Sequence, residues 1–486
     1  MTEEEYRLLC TTCDSVLLED QEGEDRIAIS WLHILREHPV FLAKYEGLFS
    51  KRDIVSQVRE SVRQISVTVF CNLRLIWSAI SKFGADEAQT HQTPCDIIFI
   101  SHLLSTSQLT VGEDFYFGTL PTELSQQGFS VIVILINHTP LSVYRLSEYT
   151  KSLHARSVII PRNLPFLSEF KFLIKTKRQA KLLRQKATAE KNQLKRAILF
   201  KSAREATSNS TMTSMRISEV VGSLVRSTKP RAIVSTYEGH SWERLAFSSA
   251  RRAAGHRHIK CIGYQHAALF RLQHASRRLL GGGYDPDIIL TAGEVGLSQL
   301  TQSGLTNHVI CNVLGSRRLI SPIQKHPSKT CVVLPEGILS ECEILFSFSL
   351  ECALKYPYIN FIWRLHPILS WEDMARIGIH VNNLPDNILV SDRSLEKDLS
   401  ECRWAIYRGS TAIITAGANG IIPIYLARPD ELTINPLYEI ADSHESIVST
   451  DSFIRALEKN KWSIESEEYC RKFYTRFELS KIADLL

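Results

Sequence analysis

Four consecutive residues, Arg408, Gly409, Ser410 and Thr411, combine a cation, a flexible backbone position and two hydroxyls, the residue types that hold a phosphate. They follow the apolar run Trp404 to Tyr407. They precede a helical pattern that gives out between Gly417 and Gly420, after which Ile421 to Leu426 reads as a second apolar strand. Such a βαβ unit delivers them to a helix start, where unpaired backbone N–H groups and aligned peptide dipoles favour an anion. Taken alone, the same stretch also reads as an ordinary cap, with Ser410 and Thr411 accepting from the first turn. Two stretches upstream repeat the arrangement. NFIWRLHP (Asn360 to Pro367) ends an apolar run in Arg364, His366 and Pro367, and TCVVLPEG (Thr330 to Gly337) ends one in Pro335, Glu336 and Gly337. In an open parallel α/β sheet, ligands bind outside the carboxyl ends of the strands. Three such ends predict one crevice holding a cation, a titratable imidazole and an anion-attracting turn.

A second set of candidates lies in the first half of the chain. Glu238, Gly239 and His240 follow the apolar run Ala232 to Tyr237 and precede a helix that starts at Ser241 and is closed by Gly255. A carboxylate there either stabilises the helix start or acts as a base facing the crevice, and Gly239 would let the backbone come close to a ligand. The strand Ile259 to Tyr264 ends in Gln265 and His266. The strand Asp96 to Ser101 opens onto a polar loop whose His102, Glu113 and Asp114 form either an acceptor-binding edge or a plain solvated loop. Cys10 and Cys13 make the one CxxC, without a second pair at zinc spacing, and no acidic constellation suits Mg²⁺. No metal is therefore expected.

The elements that must position these residues alternate strand and helix through most of the chain. With 486 residues, 44% of them hydrophobic and 22% charged, the chain can bury two or three domains of ordinary globular composition. Residues 1–92 read as a helical extension, with periodic apolar positions from Ile65 to Ile80. Residues 93–315 read as one Rossmann-like domain and 316–486 as another, with Ser316 to Lys329 as the linker and Thr207 to Ser214 as a polar break. A net charge of +5 is mild for this length and does not indicate nucleic acid, for which no binding module is recognisable. Many of the cations concentrate between Lys171 and Arg204, where apolar residues at helical spacing give an amphipathic cast. That segment reads as a solvated helix face or as a face for anionic lipid. The 11 cysteines sit largely in apolar runs, as in a reducing compartment, and the acidic start lacks the layout of a signal peptide. A cytoplasmic location follows, with the basic segment as a peripheral contact to the inner membrane.

The stretches YEGHSWERLAF, IGYQHAAL, FIWRLHP and YRGSTAIITAGANGIIPIYL resemble a group of bacterial surface-carbohydrate biosynthesis proteins and, more distantly, GT-B glycosyltransferases that use CMP-sugars, the sialyltransferase and Kdo transferase type. The likeness spans roughly residues 95 to 430. It implies an α/β fold of two Rossmann-like domains facing a central crevice, and metal-independent, inverting transfer of a nonulosonic or Kdo-like sugar to a glycan or lipid-linked glycan, with the CMP-sugar as substrate and no cofactor. By the resemblance, His366 and Pro367 contact the donor phosphate, as do Ser410 and Thr411, and Glu238 before Gly239 is the base. The family pattern often has two acids before the glycine. Here Tyr237 precedes Glu238, so Asp114 stays open as the alternative base. Glu336, Gly337, Arg364, Arg408, Gly409, Gln265 and His266 complete the expected donor side, and His102, Glu113, Asp114 and His240 the acceptor side. A nucleotide-diphosphate-sugar transferase, a CDP-polyol phosphotransferase and a non-catalytic nucleotide- or glycan-binding scaffold are the competing expectations.

Overall fold

The computed structural model describes residues 1–19, 24–49, 93–111, 113–143, 145–146, 156–324, 328–459 and 461–486. Runs of β-branched and aromatic residues become short strands buried on both faces, the pattern of a parallel sheet covered by helices. The first sheet is built from β1 (Ile97–Leu103), β2 (Val131–Asn137), β3 (Arg156–Ile159), β4 (Ala232–Thr236), β5 (Lys260–Gln265), β6 (Ile288–Thr291) and β7 (Ile310–Val313), in the order β3-β2-β1-β4-β5-β6-β7. The second uses β8 (Thr330–Leu334), β9 (Asn360–Arg364), β10 (Ile388–Ser391), β11 (Trp404–Tyr407), β12 (Ile422–Leu426) and β13 (Glu445–Ile447), in the order β10-β9-β8-β11-β12-β13. Every pairing within the two sheets is parallel. This is an α/β architecture of two Rossmann-like sheets, the GT-B arrangement. The strand order reverses beside β1 and beside β8, and such switch points open a crevice at the carboxyl ends. Register sets its floor: Leu334 pairs with Tyr407 and Val333 with Trp363, so the ends of β8, β9 and β11 lie level.

The helices depart from the sequence reading in instructive ways. Thr207 to Ser214 is not a polar break: Ser208 caps a helix spanning Asn209–Thr228 by accepting from Thr211 N at 3.3 Å. Its buried Ser214 hydroxyl meets that of Ser241 at 2.9 Å, and Ser241 meets Ser30 at 2.8 Å, so interior hydroxyls satisfy one another. The basic segment is two helices, Phe166–Ala189 and Gln193–Glu205, separated where Asn192 accepts from Lys195 N at 2.9 Å.

The chain before residue 50 is more than a helical extension. Helix Glu3–Leu18, with a Thr2/Glu5 capping box, sends Leu9, Cys13 and Val16 into the core beneath the first sheet. Cys10 and Cys13 are both buried there as free thiols. The periodic run Ile65 to Ile80 lies outside the described residues. At the other end, the chain beyond Tyr474 leaves the second domain. Thr475 N donates to Ala292 O at 3.0 Å and Glu478 N to Leu314 O at 2.9 Å, and Ile482 is buried in the core over the first sheet. Glycines allow this crossing: a Cβ on Gly315 would stand 2.2 Å from Arg476 O, and one on Gly293 2.4 Å from Lys472 O. No helix among the described residues is long and apolar enough to cross a membrane.

Candidate active site

Between the sheets lies a cleft of ≈ 720 Å³ whose lining includes Glu336, Gly337, Arg364, His366, Pro367, Gly409, Ser410 and Thr411. The ends of β8, β9 and β11 thus meet at one place, and small residues make the meeting possible. A Cβ on Gly337 would stand 3.0 Å from His366 Nδ1, and one on Gly409 2.1 Å from Glu336 Oε1. Thr411 is the N-cap of the helix Ala412–Ala418 yet makes no capping hydrogen bond with its side chain, so its hydroxyl is not committed to a cap. His366 Nδ1 faces the Ile368 N–H at 3.4 Å, which leaves Nε2 as the donor of the neutral ring. Burial and the charge of Arg318 hold this imidazole below its ordinary value.

Arg408 is not part of this wall. Its guanidinium is 1% exposed, donates to Glu341 Oε2 at 2.7 Å and to Leu426 O at 3.0 Å, and pairs with Glu431. A cation without a phosphate partner cannot stay buried unpaired, and two carboxylates from distant parts of the chain claim it. Arg364 does reach the cleft, but Nη1 is 2.7 Å from the buried Asp398, so its charge is already compensated.

Glu238 and His240 follow β4 of the first sheet, each about one third exposed, with His240 Nε2 3.3 Å from Glu238 Oε2. Despite the desolvation of burial, the His240 hydrogen bond and the neighbouring His266 and Arg36 hold the Glu238 carboxyl far below the usual range. These contacts outweigh desolvation. His240 moves up, because its bond to Glu238 and the charge of Glu243 offset its burial. Glu243, pushed by burial up to about 7, accepts from Gly239 N at 2.7 Å and His240 N at 2.8 Å, fixing the turn that carries the pair. Gly239 (φ +86) makes room for protein, not for a ligand: a Cβ there would stand 2.3 Å from the Ala275 carbonyl.

The remaining candidates divide. His266 packs edge-on to Tyr116, with centroids 4.3 Å apart, and burial lowers it to about 4. His102 lies 2.8 Å from His138 Nε2 through Nδ1 and 3.3 Å from the Thr236 hydroxyl through Nε2. Burial and His138 push it to about 3, so it is a neutral hydrogen-bonding group at physiological pH. Asp114 is half-buried, and its Oδ1 accepts from Ser101 Oγ, Tyr116 N and Phe117 N, each at 2.8 Å, so that oxygen shapes the turn. Glu113 is exposed and pairs with Arg317 at 3.4 Å. Gln265 is 2% exposed and donates to Ala267 O, which turns it away from a donor role.

Three contributors were not singled out from the sequence. Arg36 lines the cleft, its guanidinium between the rings of Phe41 and Phe270 at 4.9 and 5.0 Å and 3.7 Å from Glu336. His38, fully buried, accepts from Val40 N through Nδ1 and so donates through Nε2 to Glu336 Oε1 at 3.1 Å. Arg318, in the linker, lines the cleft exposed and without a carboxylate partner among the described residues, close enough to lower both His266 and His366. The signal for His38 was another His-Pro step, His38–Pro39, one of three in the sequence with His326–Pro327 and His366–Pro367. His38, Glu336 and Glu341 bring three possible metal-ligand atoms within 4.8 Å of one another. They do not suit a cation: Nε2 carries the proton shared with Glu336, and Glu341 is already held by Arg408.

Searches for relatives by sequence found no matching protein-family model and no matching curated protein. Among solved structures, the glycotransferase of kitacinnamycin is 12% identical with a TM-score of 0.48, over 81% of this chain and 98% of that one. The glycosyltransferase SnogD from Streptomyces nogalater is 14% identical with a TM-score of 0.44, over 81% and 100%. A UDP-N-acetylglucosamine 2-epimerase from Rickettsia bellii is 10% identical with a TM-score of 0.43, over 80% and 96%. Transferase and epimerase names stand side by side in this group, and neither is carried over to this chain.

Proposed function

We propose that this protein is a glycosyltransferase that moves a sugar from a nucleotide donor held against the second sheet to a glycan hydroxyl held against the first. The observation that carries this reading is the cleft itself. His366 and the Ser410–Thr411 turn line it together with Arg36, whose charge reaches the Glu238 carboxylate of the first domain. In the reaction, the acceptor hydroxyl attacks the anomeric carbon as the bond to the nucleotide phosphate breaks, through an oxocarbenium-like transition state. The Glu238–His240 pair takes the hydroxyl proton, and the departing phosphate oxygen gains charge. Nε2–H of His366, the hydroxyls of Ser410 and Thr411, and the Arg318 guanidinium are the groups that would receive it.

The charge balance favours a CMP-sugar, the donor class of the resembled transferases. Arg408 and Arg364 are neutralised by Glu341, Glu431 and Asp398, Arg36 by Glu336 and Arg317 by Glu113. Among the described residues, Arg318 remains as the uncompensated cation of the lining, which suits one phosphate better than two.

Thermal unfolding in the presence of CMP, CDP, UDP and UDP-N-acetylglucosamine tests this. CMP should raise the melting temperature most, since a ligand that binds the native state stabilises it by mass action. Stabilisation by uridine nucleotides alone would overturn the donor assignment in favour of a UDP-sugar. Tight nucleotide binding with no turnover on any acceptor would leave a binding scaffold.

A further inference from the structure

The helix Phe166–Ala189 buries Glu169, Phe172, Thr176, Gln179, Ala180, Leu183 and Ala187. Its rotation is fixed, because the Glu169 carboxylate takes two bonds from Arg216, at 2.6 and 2.9 Å. The opposite face is exposed and changes character along its length. At its start, Phe166, Leu167, Phe170 and Ile174 are all exposed, Leu167 by 78%, and the Phe166 and Phe170 rings stack with centroids 5.9 Å apart. The i, i+4, i+8 spacing places Phe166, Phe170 and Ile174 on one stripe.

Further along, the face is cationic. Of the cations in the segment, Lys175, Lys186, Lys195 and Lys201 lie against Asp25, Glu19, Glu190 and Glu205. Lys171, Lys177, Arg178, Lys181 and Arg184 are exposed and have no carboxylate partner among the described residues. Packed apolar side chains beside unneutralised cations are the make-up of a helix that lies in a lipid interface, with the apolar part among the acyl chains and the cations against anionic headgroups.

We propose that this face of Phe166–Ala189 docks the protein onto bilayers containing anionic phospholipid. Topology gives the docking a direction. The helix begins shortly after β3 ends at Ile159, and the carboxyl ends of a parallel sheet share one edge, so the apolar end of the helix stands at the crevice side of the first sheet. A bilayer there lies along the same edge of the first sheet as Glu238, with β2 and β1 between β3 and β4. Resting on the transferase reading, this names the acceptor class as a lipid-borne glycan; the docking itself does not depend on that reading.

The full chain is sedimented with vesicles of phosphatidylcholine alone and of phosphatidylcholine mixed equally with phosphatidylglycerol, at low and at high salt. Binding is expected with the anionic vesicles, weakening as salt rises. Replacing three cations together (Lys177→Gln, Arg178→Gln, Lys181→Gln) should lower partitioning by roughly 100-fold. The pair Phe170→Ser and Ile174→Ser should weaken binding at every salt concentration. All replaced side chains are exposed, so circular dichroism should be unchanged. A wild-type protein that stays in the supernatant with anionic vesicles at low salt overturns the proposal, as does vesicle binding that neither variant alters. Self-association in sedimentation velocity that Phe170→Ser with Ile174→Ser abolishes, without vesicle binding, would assign the face to a second copy of the chain. Nucleotide stabilisation needs no membrane and vesicle binding needs no nucleotide, so failure of either reading is separately visible.

Discussion

His240 Nε2 lies 3.3 Å from Glu238 Oε2, and the contact moves the two groups in opposite directions, the carboxyl down and the imidazole up. They therefore titrate as a pair, and a pair already holding a proton on His240 is a poor acceptor for another. Turnover should rise with pH as that proton leaves, with an acid-limb midpoint above 6.5, the ordinary imidazole value. Glu238→Gln should lower kcat by roughly 10² to 10⁴-fold with donor affinity nearly unchanged, and move the midpoint of the residual activity downward. A pH profile of kcat/KM for the two proteins checks both statements. The pair's contribution to stability should be fully present between the ordinary carboxyl value of 4.5 and 6.5. It falls away below as Glu238 protonates and above as His240 loses its proton.

His366→Ala should weaken nucleotide binding by about 10 to 100-fold, the worth of a hydrogen bond to a charged group, and leave the melting temperature of the free protein close to that of wild type. Arg318→Gln should act in the same direction. Titration calorimetry with CMP reads the affinity; an unchanged value in either folded variant removes that residue from the donor site.

Arg408→Ala should behave differently. The substitution strands the buried Glu341 carboxylate, 2% exposed, so a loss of about 3–5 kcal/mol is expected in urea unfolding. Normal stability with lost nucleotide affinity would instead return Arg408 to the site.

Gly239→Ala should destabilise by about 1–3 kcal/mol or more, because the left-handed backbone (φ +86) and the Ala275 carbonyl both oppose a Cβ. Glu238→Gln next to it keeps the turn and should lose only the contribution of its pair with His240. A Gly239→Ala protein that folds normally but loses acceptor binding would show that the glycine serves a ligand after all.

The ends of β8, β9 and β11 were legible because each apolar run stops abruptly at residues with chemistry, and a parallel sheet puts all such ends on one side. What the sequence hid was the pairing across distance. Nothing near Arg408 announces that Glu341, 67 positions away, will neutralise it, and nothing near Glu336 announces His38, 298 positions away. Local pattern fixes which elements form. It does not reveal which charges cancel, so the two cations that looked most available, Arg408 and Arg364, are compensated, while Arg318 in the linker has no carboxylate partner among the described residues. The direction of the Glu238 shift was hidden for the same reason, since His266 and Arg36 reach it from other elements.

The return of the chain's last stretch to the first domain also orders events during synthesis. The first sheet is complete in sequence at Val313, yet the core over one of its faces is closed by Ile482, with Phe477 and Leu479 packed against it. At roughly 5–20 residues per second, the ribosome would leave that apolar face uncovered for about 10–30 s while the second domain is made. The nascent first domain therefore waits in an aggregation-prone state. Refolding of a chain cut after Thr475 should stall there, however well its second domain folds.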